Sequence, residues 1–387
     1  MTAAGDGRIE PFAVDVDEAV LSDLRRRLER ARFPVASPVA DWSEGTPQEF
    51  LAELVEYWRR DYDWRRNEAR LNELPQFRTV VDGLGLHFVH VRSANPDALP
   101  LLLTHGWPGS VWEFQRIIPL LVDPTEHGGD AADAFHVVCP SLPGYGFSDA
   151  PAERGCDARR IAAYEASLMS QLGYERYGVQ GGDWGARISA HLAVAHPDRV
   201  VGLHLNFPGF IAPPPGFDPS ELGAADRLRW QRVREFAADG LAYLQLQATR
   251  PQSLAYGLSD SPVGLAGWLI EKFEAWTDSR GDLDAVLSRD ELITNVMIYW
   301  CTNSIGSSIR LYRENNRRPW NERVEVPAAC ALFPAEISPP IRQWVERFLD
   351  IRQWTEFERG GHFAALEQPG LLAQDIRRFF RPLRAGA

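Results

Sequence analysis

The amino-acid sequence predicts an α/β protein: a mostly parallel sheet with helices on both faces, a helical insertion over one end of the sheet, and an N-terminal helical meander. Three observations carry this. Short continuous apolar runs recur at Leu101-Leu102-Leu103, Phe135 to Cys139, Tyr177 to Gln180, Val200 to Leu205 and Val326 to Phe333, the pattern of strands covered on both faces. Helix-like stretches such as 157 to 172 and 186 to 195 separate them, as parallel crossovers require. The rhythm stops after Phe207 at Pro208, Pro213, Pro214 and Pro215 and resumes near Val324. The interval, helical and rich in Tyr and Trp, reads as a lid over the carboxyl ends of the strands, where such sheets keep their ligands.

Taken in order, residues 17 to 31 set Val20, Leu21, Leu24 and Leu28 on one stripe, with Asp17 as cap and four arginines on the solvated surface. Thr46-Pro47-Gln48-Glu49 reads as a capping box with proline at the first helical position, followed by Phe50, Leu51, Leu54, Val55 and Trp58 at helical period. With the Trp64 to Leu71 segment these make a meander over 1–75. From Phe77 the period shortens: Val80-Val81, the turn Asp82-Gly83 and the run Leu86 to Val91 predict a hairpin. The division expected is 1–75 meander, 76–207 first part of the core, 208–323 lid and 324–387 second part of the core.

Composition narrows the function. Of 387 residues 45% are hydrophobic, enough for a large core, so a disordered or fibrous chain is excluded. A net charge of −12 gives no field to gather polyphosphate, so a nucleic-acid partner is not expected. Of 41 basic residues only Lys272 is lysine, which reads as a GC-rich coding bias and an actinomycete-like bacterial source. Cys139, Cys156, Cys301 and Cys330 form no CxxC pair, which fits a reducing cytoplasm. With acidic residues near the start and no apolar run of spanning length, neither export nor a membrane partner is expected.

The chemistry concentrates in Tyr177-Gly178-Val179-Gln180-Gly181-Gly182-Asp183-Trp184-Gly185, followed by the helix-forming Ala186 to Leu192. Gly181 and Gly185 flank Asp183 with the small-x-nucleophile-x-small spacing of a strained strand-to-helix elbow, which lifts the central side chain above the sheet. A carboxylate there displaces alkyl leaving groups from carbon rather than acylating, and the alkyl ester formed must then be hydrolysed. Arg359-Gly360-Gly361-His362-Phe363 puts a histidine on a late loop, and nucleophile first with histidine last is the α/β-hydrolase order. Glu336, ending Phe333-Pro334-Ala335-Glu336, is the candidate to orient that ring, with Asp350 and Glu356 as competing acids.

His105-Gly106-Trp107-Pro108-Gly109-Ser110 follows the first buried run as a tight turn, so the N–H groups of Trp107 and Trp184 are the candidate oxyanion hole. Gly146-Phe147-Ser148-Asp149-Ala150 imitates a serine elbow, but Pro151 follows and no buried strand immediately precedes it. His87 and His90 fall on opposite faces of a strand and cannot share a metal. HExxH, a P-loop and a dinucleotide glycine fingerprint are absent, so neither a metal nor a nucleotide cofactor is implied.

Together these residues resemble the epoxide hydrolases of the α/β-hydrolase superfamily, specifically the microsomal type with an N-terminal meander. The resemblance spans nearly the whole chain. It rests on Arg32-Phe33-Pro34, Tyr57-Trp58, Tyr62-Asp63-Trp64-Arg65, Pro75-Gln76-Phe77, His105 to Ser110, Pro143-Gly144-Tyr145-Gly146-Phe147-Ser148, Gly181 to Gly185, Asp260 to Leu265 and Gly361-His362-Phe363. It implies that Asp183 opens an epoxide while two lid tyrosines donate to its oxygen, matching Tyr243 in Tyr243-Leu244-Gln245-Leu246-Gln247 and Tyr312 in Arg310-Leu311-Tyr312-Arg313-Glu314. A phenol of pKa about 10 suits that task, since an alkoxide leaves poorly unless protonated. Mammalian members carry a membrane anchor before the meander, whereas this chain begins almost directly with it, so membrane location is not carried over. The sequence is also similar to epoxide hydrolases of actinomycete enediyne antibiotic pathways.

The expected reaction is therefore epoxide to vicinal diol through an Asp183 ester. The expected partner is a small hydrophobic molecule, and the lid tryptophans Trp230, Trp268, Trp276 and Trp300 favour a bulky aryl or polyene epoxide among such molecules. A haloalkane or haloacid dehalogenase shares the elbow Asp and the His but needs halide donors in place of paired phenols. A non-catalytic ligand-binding homologue has no reason to keep Asp183, Glu336 and His362 together. Oligomeric state is not readable, with a homodimer left open.

Overall fold

The computed structural model describes residues 7–316 and 318–384. Among them nine strands form one sheet: β1 Glu10–Phe12, β2 Gln76–Val81, β3 Leu84–Val91, β4 Leu99–Thr104, β5 Phe135–Pro140, β6 Tyr177–Gly181, β7 Val200–Leu205, β8 Val324–Leu332 and β9 Leu349–Glu356. Their order is β1-β2-β3-β5-β4-β6-β7-β8-β9. The five pairings from β5-β4 to β8-β9 are parallel, and the three that join β1, β2, β3 and β5 are antiparallel. This is the α/β-hydrolase arrangement expected.

Alternation along the strands divides the core into two layers. Leu102, Val138, Val179, Leu203 and Cys330 face the helices Ala158–Gln171 and Asp183–Ala195 through Ile161, Ala186 and Ile188. Leu101, Leu103, Val137, Cys139 and Ala329 face Ile118 and Leu121 of one helix and Leu372, Ile376 and Phe380 of Pro369–Phe380. Both layers exclude water almost completely, and each fully buried aliphatic side chain stabilises by roughly 1.5–3 kcal/mol.

The hairpin β2–β3 turns at Asp82-Gly83, both with positive φ, which the two-residue primed turn requires. Asp17 caps the helix Glu18–Glu29 by accepting from the Ala19 amide at 2.8 Å. The capping box expected at Thr46 is not formed. Pro47 precedes the helix Gln48–Arg60, and the Thr46 hydroxyl donates instead to the Gly267 carbonyl at 2.8 Å, tying the meander to the lid. A capping box does form at Ser288 and Glu291, opening the lid helix Arg289–Thr302.

Two strands escape the periodicity. β1 is three residues long with Pro11 at its centre, as an edge strand tolerates. β9 closes the other edge and is only partly buried, so its sequence lacks the apolar run of its neighbours. Between β7 and β8 the chain is mainly helical, including Ala242–Thr249, Pro262–Trp276, Arg289–Thr302 and Ile305–Glu314.

Candidate active site

The turn from β6 into the helix Asp183–Ala195 leaves no room for side chains on either side of Asp183. A Cβ on Gly181 would overlap the Gly185 carbonyl, and one on Gly185 would overlap the carbonyl of Thr104 on β4. Asp183 itself has φ of 47°, a left-handed conformation that costs a non-glycine residue roughly 1–2 kcal/mol. The strain holds the carboxylate out at the end of the sheet. There Oδ1 accepts from the Trp107 amide at 2.8 Å, while Oδ2 lies 3.3 Å from Nε2 of His362. The Trp184 amide lies in the first helical turn, where no preceding carbonyl of the helix can engage it.

His362 is fixed on every side. Its Nδ1 meets Oε1 of Glu336 at 2.8 Å, and that oxygen also accepts from the Ile337 amide at 2.7 Å. Its backbone N–H donates to the Trp276 carbonyl at 2.8 Å, and its ring packs edge-on against Phe207 and Trp276. Burial opposes a charge on this ring, but the carboxylates of Glu336 and Asp183 and the hydrogen bonds to both outweigh it, so the pKa is raised well above 6.5. Of the competing acids, Glu356 is paired with Arg229 at 2.7 Å and Asp350 with Arg352 at 2.9 Å. Neither reaches the imidazole.

Tyr243 and Tyr312 come from separate lid helices and meet with ring centroids 5.8 Å apart. Tyr243 stacks on Trp107, and Tyr312 meets Trp184 edge-on at 5.0 Å. Both phenols are buried and line one cavity with Asp183. For Tyr243, burial and then the charge of Asp183 raise the pKa well above 10; for Tyr312 the causes are burial, Tyr243 and Asp183. Both therefore stand as neutral donors. Lys272, the one lysine of the chain, is buried with its ammonium 4.5 Å from the centroid of the Tyr243 ring and paired with Glu271.

The loop after β4 is pinned from the lid. Asn295 donates to the Pro108 carbonyl at 2.7 Å and accepts from the Ser110 hydroxyl, and Tyr299 donates to the Gly109 carbonyl at 2.8 Å. Asn206, just past β7, accepts from Gln180 at 2.8 Å and donates to the His362 carbonyl. These supports were not foreseen. Their trace in the sequence is a polar residue, Asn295, inside the apolar stretch Leu292 to Ile298. His105 is neutral, with a pKa that burial lowers to about 4, and its Nε2 accepts from the Leu142 amide. The Ser148 hydroxyl donates to the Ser141 carbonyl and accepts from the His87 amide, so it serves the turn.

The cavity above Asp183 has a volume of about 280 Å³. Its aromatic walls are Trp184, Phe207, Phe210, Phe236, Tyr243 and Tyr312. None of the four lid tryptophans lines it. Trp230 packs on Phe217 and Trp344, Trp300 lies against Arg27, Trp268 donates to Gln247, and Trp276 braces His362.

A parallel sheet with an elbow at the end of β6 and a late histidine defines the α/β-hydrolase class, and residues 100–369 match the family model described as alpha/beta hydrolase fold. Residues 9–114 match a second model, epoxide hydrolase N terminus. Over 97% of its length the chain is 48% identical to a Stigmatella aurantiaca protein assigned as an epoxide hydrolase, covering 86% of that protein. It is 37% identical to epoxide hydrolase 1 of Sus scrofa, over 97% of this chain and 89% of that one. The crystal structure of juvenile hormone epoxide hydrolase from Bombyx mori superposes with a TM-score of 0.90 at 31% identity, covering 98% of this chain and 96% of that one. The chain belongs to the epoxide hydrolases and is an enzyme of that kind. Among the described residues no helix is long and apolar enough to cross a membrane.

Proposed function

We propose that the chain converts an epoxide to a vicinal diol in two steps through an ester on Asp183. The observation that carries this reading is one carboxylate held between the Trp107 amide and His362, beneath two neutral phenols. Asp183 attacks an epoxide carbon, the C–O bond breaks, and the oxygen takes up the electron pair while Tyr243 and Tyr312 donate hydrogen bonds to it. Esterification removes the negative charge of Asp183. One of the two charges that favour protonated His362 is then gone, the imidazole's proton passes to the new alkoxide, which becomes a hydroxyl, and Nε2 becomes the base, with Glu336 keeping the ring in register.

Water loses a proton to His362 and attacks the ester carbonyl of Asp183. The amides of Trp107 and Trp184 hold the oxyanion, and the diol leaves with the proton from His362. A small aryl or polyene epoxide fits this reading, supported by the aromatic walls of the cavity. A cytoplasmic setting fits the unpaired cysteines. A place in antibiotic biosynthesis fits the arginine-rich composition and the likeness to enediyne-pathway enzymes. His362→Gln tests the two steps: incubated with an aryl epoxide and digested, it should yield the Asp183 peptide heavier by the mass of the epoxide. An unmodified peptide, with binding intact, would sink the covalent scheme.

A further inference from the structure

The cavity is apolar apart from its reacting groups, Ser338 and one cation. Arg187 lies four residues beyond Asp183 on the same helix and lines the same cavity. Its guanidinium makes a single hydrogen bond, to the Arg318 carbonyl, and its Nε is buried without a partner among the described residues. Asp157 and Glu322 lie near enough to favour its charge, yet each is already engaged, by Arg318 and by Arg159 respectively. Burial is the leading influence and pulls the guanidinium pKa below its ordinary value. A half-buried cation with an unspent, buried donor costs stability unless a partner arrives to repay its lost hydration.

We propose that Arg187 is a specificity-determining residue that recognises an acceptor oxygen, a carbonyl or carboxylate, carried by the substrate away from the epoxide carbon that Asp183 attacks. This rests on the reading of the cavity as the epoxide site and adds a polar feature to a substrate otherwise described as hydrophobic. Arginine suits the task because its charge persists when partly buried and its donors are spread in a plane. A para-substituted styrene oxide carries such an oxygen on the far side of its ring from the epoxide.

The test is competition in one vessel between styrene oxides bearing a para carboxylate, a para methyl ester or a para isopropyl group of similar size, with the parent styrene oxide as a reference. Ratios of kcat/KM from such mixtures do not depend on how much of a variant is folded. Wild type should favour the carboxylate or ester over isopropyl by about tenfold or more, as a hydrogen bond to a charged group allows. Arg187→Met should bring that ratio to about one, and Arg187→Lys should keep part of it. Preference for the carboxylate alone would identify an anion as the ligand, and preference for both a neutral carbonyl. A wild-type ratio near one, or a ratio unchanged in Arg187→Met, overturns the proposal while parent turnover leaves the site intact. No diol from any probe would overturn the cavity as the epoxide site and the proposal with it.

Discussion

At the scale of residues, His362 stands between two carboxylates, and the balance between them sets its protonation. Glu336 and Asp183 together hold the imidazole above its ordinary 6.5. Asp183→Asn removes one of the charges and should therefore lower the pKa of His362, which NMR titration of its ring protons can follow. An unchanged value would mean that Glu336 alone fixes the charge and that ester formation cannot switch the base. Asp183 and His362 were legible because small residues at fixed spacing and a Gly-Gly-His loop are local signals. Glu336 was separable from Asp350 and Glu356 only in space, where the other two are taken by arginines. The placing of Lys272 against the Tyr243 ring and of Arg187 on the cavity wall gave no local sign, because only tertiary packing assembles those neighbours.

Among elements, the loop after β4 and the elbow after β6 must approach until backbone meets carboxylate. A Cβ at Gly106 would fall on the Asp183 carboxylate itself. Gly106→Ala should displace that carboxylate and lower kcat/KM by at least about 100-fold, the order of loss that a misplaced reacting group produces, with circular dichroism reporting a retained fold. Near-normal turnover would show that the two elements can separate without harm. The buried parallel strands were readable as apolar runs and the hairpin from its Asp-Gly turn. The edge strands were not, since an edge asks little of sequence, and the box at Thr46 failed because Pro47 takes the N-cap position and leaves Thr46 outside the helix, facing the Gly267 carbonyl.

For the whole molecule, stability is coupled to buried acids beneath the site. Glu165 is 1% exposed, accepts from the Thr104 hydroxyl at 3.0 Å and has a second oxygen without a partner; burial raises its pKa from 4.5 to about 8. Between those values the unfolded chain ionises while the native one keeps the proton, so stability falls as pH rises, by about 1.4 kcal/mol per pH unit at most. Below 4.5 the effect vanishes. Glu165→Gln should therefore narrow the difference in Tm between pH values of about 5 and about 8 by a few degrees. An undiminished difference would place the pH dependence elsewhere.

The insertion between β7 and β8 is divided by the jobs of its helices. Arg289–Thr302 clamps the loop that carries the Trp107 amide, through Asn295 and Tyr299. The segment from Val233 to Leu244 instead presents Phe236, Leu241 and Leu244 to the cavity. Anyone reshaping this enzyme, or any lineage drifting toward new substrates, has a fixed brace behind the site and a replaceable wall around it. Variation confined to residues 233–244, with Tyr243 kept, should change what is admitted and leave the proposed reacting geometry alone, whereas the same number of changes in the bracing helix should disturb it.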